Sequence, residues 1–290
     1  MLKTGMKMMM GAAVAVGLSA GAAMADGHKT IKLGWTAWSD AEFVTKLAAR
    51  VLEDEMGYTV EMVQTDIAPQ YQGVSTGSID AMLMSWQPGT HADYVEKMGT
   101  DAVNLSLLYG NASLGWVVPD YVPEDQLNSI EDLKKASVKD KLDGKIQGID
   151  PGAGLMRLSK ETIEEYGLDY DLVSASGAAM TAALDRAINR DEWIVVTGWR
   201  PHWMFGKYDL RYLEDPKGTL GEAERIHAVT RTGFYQDHVD AGLFLSRLWL
   251  PLSELEGAMA YAQDHSYEEA VDKYLEENGD RVNYWVTGEM

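Results

Sequence analysis

The chain has 290 residues, with 25 Lys and Arg against 45 Asp and Glu, giving a net charge of −20 at pH 7. So acidic a chain repels nucleic acid and anionic membrane faces. The absence of cysteine excludes disulfides, thiolate ligands and thiol nucleophiles.

Residues 1–25 read as a secretory signal. Lys3 and Lys7 give a positive start, 8–23 is apolar and small, and Ala23-Met24-Ala25 is an A-x-A cleavage pattern. This stretch is too short for a transmembrane anchor, and no later run is apolar enough to be one. The mature chain is expected to begin at Asp26, and removing Lys3 and Lys7 takes the net charge from −20 to −22. With no cysteine to carry a lipid, it is expected free in a periplasm, without membrane insertion. Its length then suits one large domain or two ordinary ones.

In chain order, 31–34 predicts a strand and 35–40 a loop, with Ser39 or Asp40 as N-cap of a helix over 41–56 and Gly57 as its C-cap. A strand at 58–63, a short helix at 71–77 and a strand at 79–85 follow. A helix at 91–98 and a strand at 105–109 complete a β-α-β-α-β half, which implies a mostly parallel sheet flanked by helices. The apolar run 109–119 leaves that half, and 120–143 is a polar excursion with one short helix.

The second half repeats the order: a strand at 145–149, a glycine loop at 150–154, a helix at 155–166 closed by Gly167, a strand at 172–173, a helix at 180–188 and a strand at 193–197. After a charged, Gly- and Pro-bearing stretch at 212–221 come a strand at 225–232 and helices at 240–248, 252–263 and 267–278. The halves predict two α/β lobes, the first from 26–115 and 222–290 and the second from 116–221, with the late helices returning to the first.

One motif occurs twice. Trp86-Gln87-Pro88 and Trp199-Arg200-Pro201 lie 113 positions apart, each after an apolar run and each ending where proline must stop a ladder. The two tryptophans are expected just past strand C-termini, where open α/β sheets bind ligands. Nine tryptophans are present, and Trp38, Trp86, Trp199 and Trp203 fall in such loops, whereas Trp116, Trp193, Trp249 and Trp285 read as core anchors. Indole faces converging from two lobes form a box for a quaternary ammonium, which cannot donate hydrogen bonds and is held by cation–π attraction. His91 and the loop Gly152-Ala153-Gly154-Leu155 at a helix N-terminus suit an anion. Cation box plus carboxylate pocket describes a zwitterion. No nucleophile elbow, zinc-peptidase or phosphate-loop motif is present, and the six histidines lack metal-ligand spacing, so neither an enzyme nor a cofactor is expected.

At 31–43, 85–91, 148–156 and above all 197–216, the chain resembles the glycine betaine/proline-betaine substrate-binding proteins of ABC importers, over nearly its whole mature length. The resemblance implies the two-lobed periplasmic binding protein fold with the ligand in the interlobe cleft, and an ABC importer permease as partner. It also implies a trimethylammonium cage of Trp38, Trp86 and Trp199, with Trp35 and Trp203 as neighbouring alternates. The carboxylate would be held by His91 and by the Gly154 and Leu155 amides. Choline-binding relatives use an acid near the first cage tryptophan, where Asp40 stands here, and an asparagine in the glycine loop, where this chain has Ala153. A betaine is therefore expected over choline, and dimethylsulfoniopropionate suits the same box. An enzyme acting on choline or betaine compounds is the alternative from another class.

Overall fold

The computed structural model describes residues 30–289, so the expected secretory signal and cleavage pattern at 1–25 lie outside the described residues. The first strand, β1 (Thr30–Trp35), leads into α1 (Ser39–Asp54), β2 (Thr59–Gln64), α2 (Ile67–Thr76), β3 (Ala81–Gln87) and α3 (Ala92–Met98). β1 lies between β2 and β3, parallel to both, as β-α-β connections require. α1 buries Phe43, Val44, Leu47, Ala48, Val51 and Leu52, recurring at helical spacing. The expected caps are not made, because Trp38 stands at the N-cap position and Glu55 at the C-cap. Tertiary partners take both candidate side chains: Ser39 donates to Met259 Sδ at 3.0 Å, and the Asp40 carboxylate accepts from Tyr109 and Trp199.

β4 (Ala102–Pro119) corrects the expectation of a short strand followed by an exit segment. At about 3.3 Å per residue its 18 residues reach about 60 Å. Its first part pairs antiparallel with β9 (Glu224–Arg231) up to Ala112↔Glu224, and from Ser113 it pairs with β7 (Val196–Arg200). The change of partner follows a register shift between Tyr109 and Ala112, where Asn111 takes a left-handed φ of 58°. An unpaired residue there lets one strand turn from one sheet half to the other without breaking.

The second half holds a 3₁₀ turn (Ile130–Lys134), α4 (Ala136–Lys141), β5 (Lys145–Gln147), α5 (Gly154–Tyr166), β6 (Asp171–Val173) and α6 (Gly177–Ile188). After β7 come α7 (Met204–Lys207) and β8 (Leu210–Tyr212). β5 is parallel to β6 and β7, and β8 runs beside β4. The strand order among the described residues is β2-β1-β3-β9-β4-β7-β5-β6. Both outer thirds are parallel, and the antiparallel β9 and β4 join them.

α8 (Phe234–Asp237), α9 (Val239–Arg247), α10 (Leu252–Asp264), α11 (Tyr267–Glu277) and α12 (Gly279–Thr287) end the chain. They return to the first half. Tyr58 donates to Asp240, Arg50 pairs with Asp272, and the Phe43 and Tyr274 rings meet edge to face at 5.8 Å. Trp116 and Trp285 are core anchors, but Trp249 is 50% exposed. Among the described residues no helix is long and apolar enough to cross a membrane.

Candidate ligand-binding site

Trp86 and Trp199 are still paired in β3 and β7, to Ile226 and Trp199's partner Leu114 respectively, rather than lying beyond their strands. The antiparallel neighbours β9 and β4 carry the ladders to Gln87 and Arg200, and Pro88 and Pro201, which have no N–H to donate, end them one residue later. Trp38 stands between β1 and α1. The three indoles line one cavity, and Leu114 and Ile149 add aliphatic wall. The Trp38 and Trp199 rings lie 6.3 Å apart, inclined by 59°. Trp203 and the alternate Trp35 do not line it; Trp203 packs against His202 and Tyr208.

His91, Thr90 and the Ala153–Leu155 turn line the rest of the cavity. His91 is buried, and burial, then the Arg157 charge, push its pKa down to about 3, so the ring is neutral. Its Nδ1 accepts the Trp86 backbone N–H at 3.0 Å, which leaves the proton on Nε2. The side chain therefore offers one N–H donor. Its ring is wedged edge-on against Tyr71 and Tyr94 at 5.8 and 5.9 Å.

The second donor group is the start of α5. A helix leaves its first N–H groups without intrahelical partners. Ala153 N–H finds the Asp150 carbonyl, and Met156 and Arg157 find the Ala153 carbonyl. The Gly154 and Leu155 N–H groups have no acceptor among the described residues. Gly154 is needed for a close approach: a Cβ there would sit 2.0 Å from the Thr90 carbonyl oxygen.

Asp40 does not line the cavity. It is fully buried, with Oδ2 accepting from Tyr109 at 2.6 Å and Oδ1 from Trp199 Nε1 at 3.1 Å. Burial raises its pKa, and those two donors oppose the rise.

Four further side chains hold the site in place. Asp150 Oδ2 accepts Trp38 Nε1 at 2.8 Å. Glu224, buried at the start of β9, accepts from Gly89 N–H, Thr90 N–H and the Thr90 hydroxyl at 3.1, 2.8 and 3.0 Å, fixing the turn that carries His91. Arg157 of α5 donates to the Gly89 carbonyl at 3.0 Å and pairs with Asp93. Tyr94 donates to the Gly152 carbonyl at 2.8 Å. Asp150 lies in the glycine loop at 150–154, and its bond to Trp38 spans 112 positions. The other three are joined across 58 to 135 positions by bonds that no local pattern encodes. Among the described residues no group of His, Asp and Glu is placed to hold a metal.

Against known proteins, the family described as the substrate binding domain of ABC-type glycine betaine transport systems matches residues 29–277. The glycine betaine/carnitine transport binding protein GbuC of Listeria monocytogenes is 36% identical over 198 residues, 67% of this chain. The aligned part spans 62% of that relative's length. The crystal structure of lactococcal OpuAC, closed and complexed with glycine betaine, superposes with a TM-score of 0.82 at 34% identity, covering 89% of this chain and 100% of that one. The glycine betaine/L-proline-binding protein ProX from Borrelia burgdorferi gives 0.83 at 33% identity, covering 89% and 97%.

Proposed function

We propose a ligand and a mode of capture for this chain, which belongs to the family of substrate-binding domains of ABC-type glycine betaine transport systems. The ligand is glycine betaine or a similar methylated zwitterion, such as proline betaine or dimethylsulfoniopropionate. The observation that carries this reading is one cavity with three indoles on one side and three N–H donors on the other. Trp38, Trp86 and Trp199 present ring faces to the methylated cation, each contributing up to about 2 kcal/mol when water is excluded. His91 Nε2 and the Gly154 and Leu155 amides receive the carboxylate, a charge-assisted contact of about 1.5–3 kcal/mol per bond.

The lobes we assign are 26–115 with 222–290, and 116–221. The change of β4 partners at Ala112 and Ser113 supports this division, as does the packing of α10 and α11 on α1. Trp38, Trp86 and His91 then come from one lobe, and Trp199, Gly154 and Leu155 from the other. A ligand touching both favours the closed form. The closed complex would reach a permease of the importer from the periplasm.

Asp40 favours a betaine over choline, because both its oxygens are engaged by Tyr109 and Trp199 rather than facing the cavity. Calorimetric titration with glycine betaine, dimethylsulfoniopropionate, proline betaine and choline tests the reading. Tight binding of a zwitterion with weak binding of choline supports it. Choline as the tightest ligand would overturn the carboxylate half.

A further inference from the structure

Two of the three cavity indoles are hydrogen-bonded to carboxylates, and the bonds are reciprocal. Trp38 Nε1 donates to Asp150, 112 positions later, and Trp199 Nε1 donates to Asp40, 159 positions earlier. With the lobe division above, the first lobe's tryptophan is held by the second lobe's carboxylate, and the second lobe's tryptophan by the first lobe's. We propose that Asp150 and Asp40 are cross-cleft positioning residues that aim the indole faces as the lobes close. This rests on the ligand and lobe reading of the same site.

An indole has one donor, Nε1–H, and a cation is attracted to its face and not to its edge. The cage therefore depends on ring orientation, and a bond at Nε1 fixes it. An ionised acceptor makes that bond stronger than a neutral one would. Both residues are themselves anchored. Asp40 receives the Tyr109 hydroxyl at 2.6 Å, and Tyr109 lies in β4 beside the change of partners. Asp150 accepts the Ala153 N–H through its carbonyl, which ties it to the turn that presents the Gly154 and Leu155 amides. When the lobes part, both indole N–H groups lose their carboxylates and the rings are free to turn. The carboxylates then serve the cage from the ring edges, without lining the cavity.

The same bonds draw the lobes together whether or not a ligand is present, and this separates the proposal from the ligand reading. Asp40 is buried and its replacement endangers folding, so Asp150, only partly buried, carries the test. A nitroxide on Lys160→Cys, exposed on α5 in a chain without other cysteine, broadens the amide signals of α3 across the cleft whenever the lobes close. The measurement is made on ligand-free protein. The expected result is measurable broadening in the parent, about tenfold less in Asp150→Ala, and most of it retained in Asp150→Asn, whose amide oxygen still accepts. Unchanged broadening in Asp150→Ala, no broadening in the parent, or loss as complete in Asp150→Asn as in Asp150→Ala would each overturn the proposal. Failure of glycine betaine to bind in calorimetry would instead strike the ligand reading alone.

Discussion

The backbone N–H of Trp86 donates to Nδ1 of His91 at 3.0 Å. One residue thus contributes a ring to the cation side of the cavity and, through its peptide group, sets the tautomer of the donor on the anion side. Because burial keeps His91 neutral well below physiological pH, its Nε2–H is available across the usual range. Glycine betaine affinity is therefore expected to be constant from about pH 8 to pH 5. His91→Ala should lower it about tenfold or more while leaving choline binding within about twofold. Calorimetry at several pH values checks both, and affinity rising on acidification would point to an imidazolium instead.

Trp86 and Trp199 are buried as well as cavity-lining, so their truncation touches stability and binding together. Trp→Ala in a core costs about 3–5 kcal/mol of stability. Trp→Phe keeps a ring face and is the better probe. Trp86→Phe and Trp199→Phe are each expected to weaken glycine betaine binding about tenfold, with Ala costing more at either site. Trp116→Phe, in the core and away from the cavity, should lower the melting temperature and leave affinity unchanged.

Gly154→Ala separates closure from folding. The new Cβ would meet the Thr90 carbonyl oxygen at 2.0 Å, a backbone atom that Glu224 and Arg157 help to fix. Gly154 is the first residue of α5, where alanine is accepted by a helix at least as readily as glycine. The expected outcome is an unchanged or higher melting temperature without ligand and at least tenfold weaker binding with it. Differential scanning calorimetry with and without glycine betaine reads both.

Stability should fall on mild acidification. His91 and His202 are buried with pKa values pushed down to about 3, His202 by burial alone. The unfolded chain protonates these groups near 6.5, so between about pH 6.5 and 3 it binds protons that the folded state refuses. Stability present above pH 6.5 is lost as pH falls, by about 1.4 kcal/mol per unit for each histidine. Asp40 works the other way, because its raised pKa favours the folded state as pH falls through it. Urea unfolding at pH 7.0 and 5.5 checks the sign, and His202→Asn should flatten the slope.

Much of this was legible because local chemistry and tertiary structure agree. Gly167 closes α5 in the left-handed region, and the doubled Trp-x-Pro motif marks the two strands that end at the cavity. The failures have specific causes. Trp86 and Trp199 read as loop residues because proline signals a strand's end, but the ladder persists to the residue before it. β4 read as a strand and an exit because Gly110 and Asn111 interrupt the apolar pattern, whereas the chain absorbs them as an irregularity. Asp40 read as a cap and a candidate ligand contact, and only three-dimensional placement shows Tyr109 and Trp199 on its two oxygens. Asp150 and Glu224 act on residues more than a hundred positions away.

The most direct measurement is a crystal structure of the protein with glycine betaine. The trimethylammonium group is expected among the faces of Trp38, Trp86 and Trp199, with the carboxylate within hydrogen-bond distance of His91 Nε2 and of the Gly154 and Leu155 amides. A ligand reversed in this cavity, or bound elsewhere on the protein, would contradict it.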